Sequence, residues 1–366
     1  MKKKMLSLLL TGVMAMGVLA GCGSATSGGS SKSSSKSDSK KSSGGEITVG
    51  FAQVGAESDW RTACTKSVKD TFTSKNGYKL IFDDAQQKQE NQITAIRNFI
   101  QQDVDYIVLD PVTETGWDTV LQEAKDAGIP VIVVDRMVDV SDDSLYTMRI
   151  GSDFKAEGNK ACDWLKQYAD AQGVAQTDIK IVDIQGTIGA SAQIGRTEGL
   201  NDAVKANGWK LVAQQTGEFT QAKGQEVMES ILKQNSDFNV VYCENDNEAF
   251  GAIDALEAAG KKVGTDLKNG DVMVMSFDST KAGLTDVKDG KITLDTECNP
   301  LYGPKLDEII KNLEAGKKVE KSQFIDEAMF AHDDTVKSVS AAGESGDAKN
   351  YDVTVVTDDV ISGRSY

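Results

Sequence analysis

From Glu46 onward the chain alternates short, nearly unbroken apolar runs with longer stretches whose apolar residues recur every three or four positions. The runs "ITVGFAQV" (47–54), "YKLIFDD" (78–84), "DYIVLDP" (105–111) and "PVIVVDR" (130–136) are short and rich in β-branched residues, which predicts strands. Between them, "SDWRTACTKSVKDTFTSKN" (58–76), "QENQITAIRNFIQQ" (89–102), with Ile93, Ile96 and Ile100 on one face, and "ETGWDTVLQEAKDAG" (114–128) predict helices. Beyond Ser152 the alternation continues, with strands expected near 179–185, 209–215, 238–244, 271–278 and 291–297. Strands this apolar need cover on both faces, and successive βαβ units supply it, so the expected class is α/β with parallel, doubly wound sheets. Asp84–Pro111 and Glu218–Asp246 echo each other weakly, each passing from a polar loop to an apolar strand ending in acid, which suggests two similar lobes.

In open parallel sheets, ligands sit outside the carboxyl ends of the strands, so the polar residues just after each run are the informative ones. These are Glu57, Trp60 and Arg61 after the first run, Asp84 and Gln87 after the second, and Asp135 and Arg136 after the fourth. In the second half they are Gly186, Gly189 and Arg196, then Phe219, Asn245 and Asp246, Asp278 and finally Glu297. A neutral polyhydroxyl ligand would use such a set. Carboxylates accept from hydroxyls, a guanidinium donates to an adjacent pair, and an aromatic face covers the C–H surface. Each buried charge would need a neighbour of opposite sign, as Arg136 offers Asp135. Asp84, Asp110 and Asp246 serve equally well as helix caps, Trp60 as core, and single arginines as surface charges. The glycine-rich "GTIGASAQIG" (186–195) is neither a dinucleotide fingerprint nor a phosphate loop, so its glycines are read as permitting close backbone approach.

The chain has 366 residues, 39% of them hydrophobic, and a formal net charge of −16. That length suggests two domains, and the acidic balance disfavours nucleic-acid binding, which needs Lys and Arg against phosphates. The first residues form a basic block, Lys2 to Lys4, an apolar run from Met5 to Val18, and Leu19-Ala20-Gly21-Cys22. This is the pattern of a secretory signal, and its last four residues resemble a bacterial lipobox, with Cys22 the lipidated residue after removal of 1–21. The Ser/Gly/Lys stretch that follows, in the 22–45 segment, cannot build a core and reads as a flexible tether spanning on the order of 25 Å. The other cysteines, Cys64, Cys162, Cys243 and Cys298, have no metal-ligand spacing and leave disulfide pairing open. No metal or cofactor is expected.

The stretches "VGFAQVGAESDWR", "DDAQQKQENQITAIRNFI", "DYIVLDPVTETGWDTVLQEAKDAGIPVIVVDR", "QGTIGASAQIGR" and "EVMESI" resemble the type I periplasmic sugar-binding proteins of ABC importers, most closely the galactofuranose-binding branch. The resemblance covers the body from about Glu46 to Tyr366. It implies two Rossmann-like lobes joined by a three-strand hinge, with crossings near Ile150, Glu297 and Asp326. The first lobe would comprise 46–150 and 298–326, the second 151–297 and 327–366. It places Trp60, Arg61, Asp135 and Arg136 on the first lobe's side of a ligand cleft and Arg196, Asn245 and Asp278 on the second's. The chain departs from that branch at Asp59 and in "TECNP" (296–300).

The function implied is capture of a monosaccharide by a monomeric, extracytoplasmic, lipid-anchored protein that delivers it to an ABC permease driven by a separate ATPase. Sensing through a membrane receptor is the alternative within the same fold, and a lipid-anchored glycosidase with two carboxylates the alternative from another class. A Ser-His hydrolase is disfavoured, because the single histidine, His332, has no GxSxG nucleophile turn to serve and reads as a surface or packing residue of the second lobe.

Overall fold

Residues 45–344 and 346–366 are described by the structure, a computed structural model. The expected signal segment, the lipidation residue Cys22 and all of the tether but its final glycine lie outside the described residues.

The first part of the body runs β1 (Ile47–Gln53), α1 (Asp59–Thr71), β2 (Tyr78–Asp84), α2 (Gln89–Gln101), β3 (Tyr106–Leu109), α3 (Asp118–Asp126), β4 (Val131–Val134) and β5 (Met148–Gly151). It continues as α4 (Phe154–Gln172), β6 (Lys180–Gln185), α5 (Ser191–Asn207), β7 (Lys210–Thr216), α6 (Gln221–Gln234), β8 (Val240–Cys243), α7 (Asp246–Ala258), β9 (Met273–Asp278), α8 (Lys281–Lys288) and β10 (Leu294–Glu297). The last part is α9 (Tyr302–Glu314), β11 (Ser322–Phe324), β12 (Met329–Ala331), β13 (Ser338–Ala342), β14 (Ala348–Val355) and α10 (Asp358–Gly363).

Two sheets result. The first has the order β11-β5-β4-β3-β1-β2, and every neighbouring pair is parallel. Alternate residues of its central strands serve opposite cores: Val49, Phe51, Val108, Ile132 and Val134 on one face, Ala52, Ile107, Leu109, Val131 and Val133 on the other. Helices cover both faces, as the uniformly apolar runs required. The second sheet has the order β13-β14-β12-β10-β9-β8-β6-β7. It is parallel from β10 to β7 but mixed at its other edge, where β12 runs antiparallel to β10 and β13 to β14. Connectivity explains the reversal. β10 ends where the chain leaves for α9 and the first sheet, whereas β12 begins where the chain returns, and no helix intervenes to turn it round.

Three short segments, residues 152–153, 298–301 and 325–328, thus join the sheets. The lobes also meet across the cleft. Asp59 N donates to Asn247 Oδ1 at 3.0 Å, Glu114 N to Gly189 O at 2.9 Å and Met137 N to Ser191 Oγ at 2.8 Å. His332 follows β12 in the second lobe, where its Nδ1 lies 2.9 Å from Val287 O.

Candidate functional site in the cleft

The carboxyl ends of the strands of both sheets face one another. A small pocket lies between them. Glu57, Ser58, Trp60, Arg61, Asp135 and Arg136 line it from the first lobe, and Phe154, Ala192, Arg196, Phe219, Asn245 and Asp278 from the second. Cys298, on the middle crossing, completes the wall.

The backbone at these strand ends is unusual. Except for Asp103, every non-glycine residue with positive φ among the described residues sits there: Gln86 and Gln87 after β2, Asp135 after β4, Glu218 and Phe219 after β7, Asp278 and Ser279 at β9. Left-handed backbone outside glycine costs on the order of 1–3 kcal/mol per residue and persists where surrounding structure enforces it, most often at functional sites.

On the first lobe an arginine is the centre. Ser58 caps α1 by accepting from Arg61 N at 3.1 Å, which plants Trp60 and Arg61 in the first turn at the cleft. Arg61 Nε donates to Glu57 Oε1 at 2.9 Å, and Nη1 to Asp135 Oδ2 at 3.1 Å and to Asp110 Oδ2. Burial works against this guanidinium's charge, but Asp110, Glu57 and Asp135 hold its pKa well above the usual value. The partner that sequence adjacency assigns to Asp135 is therefore the lesser one, since Arg136 Nε is 4.0 Å from Asp135 Oδ2. Instead Arg136 Nη1 donates to Val112 O at 3.0 Å, and its guanidinium faces the Phe219 ring at 5.1 Å. Burial, then repulsion from Arg61, pulls the Arg136 pKa down from its ordinary value. Arg136 Nε and Glu57 Oε2 are buried with no hydrogen-bond partner, leaving a donor and an acceptor at one wall.

On the second lobe, close helix packing sets the geometry. A Cβ on Gly158 would lie 2.8 Å from Arg196 O, and one on Gly199 2.8 Å from Gly158 C, so only glycines let α4 and α5 approach this closely. The approach brings Arg196 Nε to 2.7 Å from Glu157 Oε2, while Nη1 donates to Glu244 O. Asp278 faces Arg196 Nη2 at 3.9 Å, and burial, only partly offset by that arginine, pushes its carboxyl well above the ordinary carboxylate range. Phe219 is seated over Gly186, where any Cβ would collide with the ring, and its backbone N–H donates to Glu248 Oε1 at 2.8 Å. Asn245 caps α7 through Glu248 N at 2.8 Å and donates from Nδ2 to Phe219 O at 3.2 Å. Trp60 Nε1 donates to Cys298 O at 2.6 Å, with Arg61 against its ring at 4.6 Å and Tyr302 edge-on at 6.2 Å. It is thus both packed and exposed to the pocket.

Of the residues singled out from the sequence, Asp84, Gly186 and Asp246 lie away from this lining, and so do Gln87, Gly189 and Glu297. Gln87 is held in a left-handed turn by its N–H to Val54 O at 2.7 Å. Gly189 sits at the cleft rim, also left-handed, where its carbonyl accepts from Glu114. Glu297 ends β10, but its carboxylate is taken by Ala328 N at 2.8 Å and by Arg364 and Tyr366. Conversely, Ser58, Phe154, Ala192 and Cys298 enter the wall without having been singled out, and Asp110, Glu157 and Glu248 support it from behind. Asp110 carries the same signal as the others, an acid after an apolar strand. Phe154 follows β5, whose apolar run is broken by Arg149 and so does not read as a strand in the sequence.

Glu157, Cys298 and Glu327 bring donor atoms within 4.8 Å of one another, a set that could hold a metal ion. Their bonds argue for a hydrogen-bonded cluster instead. Arg196 holds Glu157, Ser152 Oγ and Asn299 N donate to Glu327 at 2.6 and 2.8 Å, and Lys160 adds positive charge beside it. Burial also raises the Cys298 thiol well above its ordinary pKa, disfavouring the thiolate a metal would need.

Comparison with known proteins places this architecture. Residues 49–297 match the family model described as periplasmic binding protein domain. The galactofuranose-binding protein YtfQ of Escherichia coli (strain K12) is 40% identical over 292 residues, 78% of this chain and 88% of that one. A Mycobacterium smegmatis protein crystallised with β-D-fucofuranose superposes with a TM-score of 0.73 at 44% identity, covering 79% of this chain and 92% of that one. The binding component of the arabinose ABC transporter from Shewanella sp. ANA-3, bound to α- and β-L-arabinofuranose, gives 0.71 at 42%, covering 79% and 93%. These relatives bind solutes and are not enzymes, which removes the glycosidase alternative. The sequence resemblance is borne out: the chain belongs to the periplasmic binding protein family, in its type I sugar-binding branch.

Proposed function

We propose that the protein is an extracytoplasmic lipoprotein that captures a monosaccharide in its furanose form, galactofuranose first among them, and hands it to an ABC permease. The observation that carries the ligand class is the lining shared by Glu57, Arg136, Trp60 and Phe219, in which Glu57 Oε2 and Arg136 Nε are an acceptor and a donor buried without hydrogen-bond partners. Vicinal hydroxyls, each both donor and acceptor, complete such a pair. The furanose form is supported by relatives of about 40% identity whose names carry galactofuranose, fucofuranose and arabinofuranose.

Binding would proceed without chemistry. Groups on both lobes bond one ligand, so the ligand favours the closed arrangement, and a permease reads that arrangement. Delivery to the membrane rests on Cys22 and the tether after it. Calorimetry with ligand-stripped protein against paired pyranose and furanose sugars tests the reading. Strong heats with galactofuranose, arabinofuranose or fucofuranose are expected, and no heat with any sugar overturns it. Replacing Cys22 should release the protein from membranes, and undiminished retention would remove the lipid anchor from the proposal.

A further inference from the structure

The hinge contains two carboxylates in exchange. Glu297, entering the middle crossing, accepts from Ala328 N on the third at 2.8 Å; Glu327, on the third, accepts from Asn299 N on the middle one at 2.8 Å. Ser152 Oγ, on the first crossing, donates to the same Glu327 Oε1 at 2.6 Å, so one oxygen binds all three segments together. Glu297 is held from outside by the Arg364 guanidinium and, at 2.8 Å, by the Tyr366 hydroxyl.

Between the two acids sits Cys298. Its carbonyl takes the Trp60 indole N–H at 2.6 Å, its side chain lines the pocket, and its Sγ is 3.3 Å from Ser152 Oγ. On its other side is Glu157, whose Oε1 is buried and unpartnered while Oε2 holds Arg196. The exchange therefore reaches the pocket through the Cys298 carbonyl to Trp60, and Glu157, whose donor atom lies within 4.8 Å of those of Cys298 and Glu327, holds Arg196 beside it.

We propose that Glu297 and Glu327 are positioning residues for ligand capture: their crossed bonds fix the backbone at Cys298, and the affinity of the pocket is set at the hinge by side chains outside its lining. The proposal rests on the cleft being the ligand site. Hinge bending in two-lobed proteins is absorbed by a few residues at element ends, and bonds between crossings are those that opening must strain or break. Losing them should populate the open arrangement and shorten the life of the complex more than it slows capture.

The test is stopped-flow tryptophan fluorescence and calorimetry on the full body, with equilibrated D-galactose and L-arabinose as probes. Glu327→Ala and Glu297→Ala should raise the dissociation rate about tenfold while changing the association rate less than about threefold. Glu327→Gln, whose amide oxygen can still accept from Ser152 and Asn299, should restore the rate to within about threefold of wild type. A general loss of fold would not produce this split or this rescue. If Glu327→Ala does not fold, Ser152→Ala, which removes one donor to the same oxygen, carries the same expectation in smaller measure. Wild-type protein that binds no sugar overturns the functional reading and this role with it. Sugar binding by wild type with the alanine variants inside twofold of it overturns the positioning role alone.

Discussion

The guanidinium of Arg136, on the first lobe, lies 5.1 Å from the centroid of the Phe219 ring, on the second. A cation over an aromatic face attracts it, most strongly away from water. This pair therefore belongs to the closed arrangement, and each partner is held by its own lobe: Arg136 by Val112 O, Phe219 by Glu248 and the bare surface of Gly186.

Arg136→Ala should abolish sugar binding, by more than about 100-fold, since it removes both the free donor Nε and the cross-cleft contact. The fold should persist, because Arg61 still pairs Glu57 at 2.9 Å and Asp135 at 3.1 Å once Arg136 is gone. Calorimetry and circular dichroism on the same sample decide it. Near-wild-type affinity would remove Arg136 from the site.

Gly186→Ala should displace Phe219, whose ring occupies the volume the new methyl needs. Overpacking of this kind costs about 1–3 kcal/mol, and the misplaced ring should lower affinity by about tenfold or more. Combined with Phe219→Ala it should cost less stability than the two single changes added together, without recovering affinity, which separates packing from ligand contact in a double-mutant cycle.

Asp183, on β6 within the second sheet, is in no ion pair among the described residues; Gln214 Nε2 donates to one of its oxygens at 2.9 Å and the other is buried unpartnered. Burial pushes its carboxyl up to about 7, against about 3.9 in an unfolded chain. Between those values the folded state binds more protons than the unfolded one, so stability falls as pH rises through the window, by at most about 1.4 kcal/mol per pH unit. The penalty is absent below the unfolded value and complete above the folded one. Asp183→Asn should flatten the urea midpoint between pH 4.5 and 7, and an unchanged slope would show that Asp183 folds in its ionised form.

The thiols of Cys64, Cys162, Cys243 and Cys298 are free and buried, and burial raises the pKa of each. None should react with a disulfide reagent in the native state within minutes, and all four should react in denaturant. A native thiol that reacts promptly would mark a local opening, with Cys298 at the hinge the position to map first.

Much of the fold was legible: β1 to β4 and β6 to β10 fall within a few residues of the runs that predict them, and the central strands among them are buried throughout. The elements at the hinge-side edges were not. β11 and β14 have polar, largely exposed sequences, and their strand character depends on β5 and β12 being there to pair with. Site residues were legible for a geometric reason, since parallel strands collect their carboxyl ends along one edge. Pairing within the site was not. Asp135 and Arg136 are adjacent in the chain, but the left-handed backbone at Asp135 accompanies a separation of 4.0 Å, while Arg61, far off in sequence, reaches Asp135 at 3.1 Å. Glu297 follows its strand as the others do, and only the chain's last residues, folded back onto it, explain its different engagement.

The edge position of β11 has a consequence for biosynthesis. The flank of β5 that β11 covers is complete only when a segment about 170 residues further along has been made. During synthesis the first sheet therefore waits with an unpaired parallel edge while the second sheet's parallel core is built, and such edges recruit other chains. Aggregation of nascent chains should thus depend on how quickly residues 322–324 are made, so a chain cut short before them is the form most in need of a chaperone.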